Sequence, residues 1–313
     1  MPRRNYGTEH TDMLRFLPSF MRGCLAFFLL CLNIALVSLP IFTIALLKFL
    51  IPAPSWRRLC SQVLNGLTSL WVSGNTIWLT LTQKLEWQVE GLENLKVKGW
   101  CLVTSNHQAY ADIFIVQRLL NRRVPQLKFF LKQELIWIPV IGLCWWALDF
   151  PFMKRYSKSY LKKHPEKKGA DLLATQKACE KLGVAPAAMF NFMEGTRFTP
   201  EKHTSQGSPY RHLLKPRVLA TGFVLSAMGR QMDTLVDITI HYPDGAPGYW
   251  EFLCGKMKRV TVQIESCPIP EEFLGKDYSS DSTFRKGLQR WVNELWEAKD
   301  AKLAELHAKH PAL

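Results

Sequence analysis

The sequence predicts an α/β fold, with a mixed, largely buried sheet flanked by helices and preceded by an N-terminal membrane-embedded helical hairpin or single transmembrane helix. Three observations carry this expectation. Residues 24–47 form an apolar run without a single charge. From residue 84 onward, short apolar runs suited to strands alternate with stretches of helical periodicity, the pattern of an α/β domain. A C-terminal segment then repeats Phe284, Leu288, Trp291 and Leu295 at helical spacing before turning highly charged.

The apolar run, CLAFFLLCLNIALVSLPIFTIALL, extends over 24 positions, against the roughly 20 that a helix needs to cross a bilayer core. It is too long for the apolar region of a cleaved signal peptide, and no small-residue cleavage pattern closes it. Basic residues flank both ends, Arg3, Arg4, Arg15 and Arg22 before and Lys48, Arg57 and Arg58 after. Balanced flanks discriminate poorly between the two sides of a membrane and suit a hairpin that dips into one leaflet and returns. A second arm is available over residues 56–83, where Leu59, Val63, Leu67, Leu70, Trp71, Ile77, Trp78 and Leu81 recur at helical spacing. Residues 1–83 therefore read as an anchor with helices at about 24–50 and 56–83, Pro40 being a candidate kink, and a single spanning helix stays open.

Residues 84–313 read as the α/β domain. Its expected strands are residues 85–89, 100–104, 127–131, 147–153, 188–192, 235–241 and 260–264, and its expected helices 112–120, 170–182 and 218–228, with a C-terminal amphipathic helix that frays near its end.

The balance of 40 Lys plus Arg against 26 Asp plus Glu gives a net charge of +14, which calls for an anionic partner or a solvated surface. Residues 154–168 hold seven of the basic side chains, opposed only by Glu166. An anionic membrane surface and nucleic acid are the two candidates. No helix-turn-helix, RRM or KH signature is present, so nucleic acid is not expected. The 8 cysteines form no CxxC pair and have no histidine at metal-ligand spacing, so they read as small buried hydrophobes and no metal is expected.

Two segments carry chemistry. In NHQAYADIF, residues 106–114, His107 and Asp112 are five apart, about 140° round an ideal helix. They meet only if His107 stays in a loop and Asp112 begins the helix. The carboxylate then accepts the Nδ1 proton and leaves Nε2 to take a proton from a hydroxyl. On spacing alone the pair is weak, since some histidine precedes an aspartate by five in roughly a third of such chains by chance. The plain alternative is a loop histidine beside a helix-start aspartate. The second segment, FMEGTRFTPEKH at residues 192–203, contains EGTR, a word expected by chance in only about 0.2% of chains this long. Gly195 permits close backbone approach, Arg197 offers a fork for phosphate, Thr196 adds a hydroxyl, and Glu194 is suited to hold a sugar or glycerol hydroxyl or to orient Arg197. A surface turn with a Glu–Arg ion pair is the alternative.

These blocks resemble the glycerolipid acyltransferases typified by 1-acylglycerol-3-phosphate acyltransferases. NHQAYAD is similar to that family's NHxxxxD block and EGTR to its phosphate-binding block, with Lys132, Glu134, Pro139, Gly142 and FPFMKR between them in the family's manner. FMEGTRFTPEKH and HLLKPRVLATGF resemble a branch of eukaryotic microsomal lysophosphatidate and lysocardiolipin acyltransferases and bacterial PlsC-like proteins of the YihG type. The resemblance covers roughly residues 85–275. Met193, Phe198, Lys154 and the segment LVDITIHYP depart from the commonest family pattern and bear on head-group preference.

The resemblance implies catalysis by His107 and Asp112, with substrate phosphate held by Arg155, Glu194, Gly195, Thr196 and Arg197. It further implies transfer of an acyl group to the sn-2 hydroxyl of 1-acylglycerol-3-phosphate, with lysocardiolipin or another lysophospholipid as the alternative acceptor. The expected donor is acyl-CoA or acyl-carrier protein, with no cofactor and no metal. The expected location is a bacterial inner membrane, catalytic domain on the cytoplasmic side. Trp145, Trp146 and Phe150 are candidates for an acyl groove, a plain core being the alternative.

Overall fold

In the computed structural model, the described residues are 5–6, 17–153, 160, 163–164, 186–278 and 280–310. The expected helix over residues 170–182, most of the basic run over 154–168, and Cys179 lie outside them.

Two long helices open the fold, α1 (Ser19–Leu50) and α2 (Pro54–Thr82), joined by only three residues. Pro54 at the first position of α2 suits a helix start, where its missing N–H costs nothing. Pro40 lies inside α1, which continues through it. The two helices form a hairpin held by apolar contact and by a polar pair in its middle, where the Asn33 side-chain N–H₂ donates to Asn75 Oδ1 at 2.9 Å. Among the described residues, α1 alone is long and apolar enough to cross a membrane.

The hairpin does not project from the rest of the protein. Ala26 and Leu30, near the start of α1, pack into the main core with Trp78 and Phe252, and the Trp78 indole donates to Ala26 O at 2.9 Å. Val37 and Ile41, further along, pack against Cys144, Ala147 and Leu148. One face of α1 is thus docked through much of its length. The opposite face carries Phe28, Leu32, Leu36, Leu39, Leu46 and Phe49, all exposed. Cys24 and Cys31 lie on exposed parts of the same helix and correct the expectation that all the cysteines are buried. The helix is apolar all round, so one side must face solvent or lipid whichever way it docks.

The sheet has seven strands in the order β1 (Asn5–Tyr6), β2 (Glu86–Glu90), β9 (Arg259–Pro268), β8 (Met232–His241), β3 (Trp100–Ser105), β7 (Ala187–Phe192) and β4 (Gln126–Phe129). The run β8, β3, β7, β4 is parallel, whereas β9 is antiparallel to β8 and β1 to β2, so the sheet is mixed as expected. β3 sits between β8 and β7, and all six of its residues are buried, which is why WCLVTS reads as a continuous run rather than an alternation. A separate pair, β5 (Leu131–Lys132) and β6 (Phe152–Met153), lies apart from it.

Three expectations need correction. Residues 127–131 are not one strand, because the chain leaves β4 after Phe129 and starts β5 at Leu131. Of residues 147–153 only the last two are strand. The segment before them ends helix α4 (Ile141–Ala147) and turns through Asp149 at φ +57°. Its apolar side chains fill the space against α1, a demand that periodicity does not distinguish from a buried strand.

The third correction concerns the C-terminus. After helices α5 (Pro200–Gln206), α6 (Leu219–Met228) and α7 (Tyr249–Leu253), helix α8 runs from Ser282 to Lys309 without fraying where the charges begin. It stays helical because Trp296, Lys299, Leu303 and Leu306 continue its buried stripe. Lys299 is fully buried, and its ammonium meets Asp237 Oδ1 at 2.8 Å and Ile238 O at 2.7 Å on β8. A buried charge keeps its place only while its partner is present. Lys299→Ala is accordingly expected to cost about 3–5 kcal/mol by stranding Asp237, read as a fall in unfolding midpoint of the detergent-solubilised protein; an unchanged midpoint would show that the pair carries no stability.

Candidate active site

The site is built where β3 and β7, neighbouring parallel strands, release their chains into loops at the same edge of the sheet. Ligand sites in open α/β sheets collect outside these carboxyl ends. β3 ends at Ser105 and runs into Asn106 and His107, and β7 ends at Phe192 and runs into Met193 and Glu194.

Asn106 fixes the first loop. Its side-chain N–H₂ donates to Ile240 O and its Oδ1 accepts from Ile240 N–H, both at 2.8 Å, so the amide pairs with the β8 backbone as a strand residue would. His107 follows in the loop and Asp112 enters helix α3 (Ala111–Leu120) in its first turn, the arrangement that spacing demands. His107 Nδ1 lies 2.8 Å from Asp112 Oδ2. The same oxygen accepts from Gln108 N–H at 2.7 Å and Ala109 N–H at 2.9 Å, and Oδ1 accepts from the Tyr242 hydroxyl at 2.5 Å. Asp112 is completely buried, and a carboxylate so placed needs this many donors to remain in the protein. With a carboxylate on Nδ1, the assigned tautomer carries its proton there and keeps Nε2 as the acceptor. The imidazole is stacked on Phe192, ring centroids 3.8 Å apart and planes within 13°.

The EGTR loop is tied to this loop twice. Glu194 Oε1 accepts His107 N–H at 2.7 Å, and Phe198 N–H donates to His107 O at 2.7 Å. Glu194 Oε2 accepts Leu214 N–H at 2.9 Å. This corrects the expectation for Glu194: it points inward, fully buried, and binds backbone rather than a hydroxyl or Arg197. Burial pushes its carboxyl up to about 8, against the pull of those two N–H donors toward lower values.

Gly195 takes φ +70°, a conformation that glycine reaches without strain, and turns the chain toward the surface. Lys202, in α5, holds the turn by donating to Thr196 Oγ1 and Arg197 O, both at 2.9 Å. Arg197 then lies over the Tyr110 ring, its guanidinium carbon 3.6 Å from the centroid, and donates to the Tyr110 hydroxyl at 2.9 Å. Arg155 lies outside the described residues.

His107, Tyr110, Gly195, Thr196 and Arg197 line one cavity of about 630 Å³, which extends between the sheet domain and the hairpin past Phe114, Leu120, Leu127, Phe129 and Trp71. Of the proposed groove residues, Trp145 and Phe150 line it, whereas Trp146 points outward and is 61% exposed. The site thus joins a proton-accepting imidazole, a cationic fork and a long apolar chamber.

Residues 86–228 match the family model described as Acyltransferase. The chain is 22% identical over 237 residues to the 1-acyl-sn-glycerol-3-phosphate acyltransferase epsilon of Mus musculus, covering 68% of this chain and 59% of that one. To the 1-acyl-sn-glycerol-3-phosphate acyltransferase 3 of Arabidopsis thaliana it is 25% identical over 291 residues, 85% of this chain and 70% of that one. These matches support a glycerolipid acyltransferase family for the chain. Among solved structures, the PlsC lysophosphatidate acyltransferase from Thermotoga maritima aligns with a TM-score of 0.47 at 17% identity, covering 89% of this chain and 98% of that one.

At this site, sequence reasoning missed Asn106, Tyr110, Lys202 and Tyr242. Asn106 and Tyr110 belong to the NHQAYAD word, and Lys202 to the EGTR-containing one, so their positions were in view. Tyr242 lies in LVDITIHYP, 130 residues from Asp112, and nothing in that word ties it to the carboxylate.

Because Glu194 holds its proton to about pH 8 when folded and releases it near 4.5 in an open chain, its contribution to stability is complete below about pH 4.5 and lost as pH rises through 8. Denaturation between pH 5 and 8 should therefore show wild type losing stability relative to Glu194→Gln as pH rises; parallel curves would contradict the shift.

Proposed function

We propose that the chain transfers a fatty acyl group from an acyl thioester to the sn-2 hydroxyl of 1-acylglycerol-3-phosphate, giving phosphatidate. The observation that carries this reading is His107 with its Nδ1 bound by a buried carboxylate, set in one cavity with Arg197 and an apolar chamber.

The step follows from those groups. Arg197 holds the acceptor phosphate as a charge-assisted fork, and the acyl chains occupy the apolar chamber. Nε2 of His107 removes the acceptor hydroxyl proton as its oxygen attacks the thioester carbonyl, while Asp112 stabilises the imidazolium. Collapse of the tetrahedral intermediate breaks the C–S bond, and the imidazolium returns the proton to the leaving thiolate. The substrate alcohol is itself the nucleophile, so no enzyme serine or cysteine is required.

The reaction belongs at a membrane. The exposed apolar face of α1 supports a lipid contact, and docking of its other face against the domain favours a hairpin lying within one leaflet over a helix that crosses the bilayer. The net charge of +14 suits an anionic lipid surface better than nucleic acid, for which no recognition motif is present. The donor, acyl-CoA or acyl-carrier protein, and the acceptor head group follow from family resemblance.

The test is acyl transfer in vesicles over a panel of lysophospholipids that includes lysophosphatidate and lysocardiolipin, with both donors. Lysophosphatidate should give the highest turnover; a preference for lysocardiolipin would reassign the acceptor, and no transfer to any acceptor would refute the activity. His107→Ala should lower transfer by about 10²–10⁴-fold while leaving membrane binding unchanged. Near-wild-type transfer would remove His107 from the chemistry. Arg197→Ala should raise the acceptor KM about tenfold or more with a smaller change in kcat. An unchanged KM would refute the phosphate contact.

A further inference from the structure

A second patch of exposed apolar side chains lies outside the hairpin. Trp137 is 84% exposed, Trp146 61% and Leu143 53%, with Ile138 and Val140 exposed beside them. They belong to one short stretch, a 3-10 turn at Gln133–Trp137 followed by α4. Its inner side is different. Cys144 and Ala147 are buried in a cluster with Val37 and Ile41 of α1, and Leu135, Ile141 and Trp145 line the cavity. The stretch is fixed in place: a Cβ on Gly142 would lie 2.3 Å from Ile136 O, and Lys48, near the end of α1, pairs with Asp149 at 2.9 Å. The outward display of two indoles thus follows from how this segment packs.

α4 packs directly on α1, Cys144 and Ala147 against Val37 and Ile41, so the patch stands on an element docked to the helix whose opposite face is exposed and apolar. Tryptophan is favoured where hydrocarbon meets headgroups, since its ring is apolar and its N–H needs a polar neighbour.

We propose that residues 135–146 form a second lipid-contacting ledge, seated in the boundary between hydrocarbon and headgroups of a phospholipid bilayer. The inference rests on the membrane reading of the hairpin. A bilayer is the occupant because the segment is docked on α1, the helix read as lying in the leaflet, and its outward side chains are two indoles and aliphatics with no charge among them. The ledge also walls the cavity on its inner side.

The experiment is photocrosslinking of the full chain in phosphatidylethanolamine–phosphatidylglycerol vesicles, with Trp137, Leu143 and Trp146 each replaced in turn (Trp137→p-benzoylphenylalanine and likewise). Leu36 on α1 and the exposed Arg290 on α8 serve as reference positions. Phospholipid adducts at the three ledge positions, about tenfold or more above the Arg290 background and comparable to Leu36, are expected. Adducts at Leu36 without adducts on the ledge, or covalent protein dimers from the ledge, would overturn the proposal while sparing the hairpin reading. Loss of adducts at Leu36 as well would overturn both, and acyl transfer measured in the same vesicles reports separately on the reaction.

Discussion

A carboxylate removed from water must collect hydrogen bonds, and Asp112 collects four, from His107, Gln108, Ala109 and Tyr242. That requirement organises the site. The two backbone donors force the chain after β3 to curl around the carboxylate before α3 begins, which brings His107 back to Asp112 although five residues separate them. The hydroxyl of Tyr242, just past the end of β8, locks the second oxygen from the other side. Moving any of these groups exposes the cost of a buried anion with too few partners, so the imidazole orientation is coupled to the stability of the fold.

The same logic extends outward from His107. Its backbone N–H is satisfied by Glu194 and its carbonyl by Phe198, so the loop after β3 and the loop after β7 cannot shift independently. Glu194 reaches on to Leu214 N–H, and Leu214 O accepts from the Trp296 indole at 3.1 Å on α8. A helix at the end of the chain thereby supports the turn that presents Arg197. What faces the cavity is a small set of side chains, and what holds them is largely backbone hydrogen bonding.

Much of this was legible in the sequence because it is local. The continuous apolar strand WCLVTS, the loop after it and the helix beginning near Asp112 follow from run length and periodicity, and EGTR stood out by rarity. The inward role of Glu194 was not legible, since a glutamate beside an arginine reads as an ion pair until the backbone donors of His107 and Leu214 are seen. Tyr242 was hidden by distance along the chain. Trp146 reads as a groove candidate, and residues 147–153 as a strand, because composition does not tell which side of a short apolar segment faces the core. The charged end of α8 read as frayed because burial of Lys299 depends on Asp237, a partner 62 positions away in sequence.

The central claim is that Asp112 fixes the His107 tautomer with its proton on Nδ1 and Nε2 free to accept one. Nitrogen NMR of the detergent-solubilised protein with ¹⁵N-histidine, the His107 signals assigned by their loss in His107→Ala, tests it directly. At a pH where the imidazole is neutral, Nδ1 should resonate as a protonated nitrogen and Nε2 as an unprotonated one, and Asp112→Asn should abolish that preference. An Nε2-protonated ring, or a tautomer mixture indifferent to Asp112→Asn, would contradict the account.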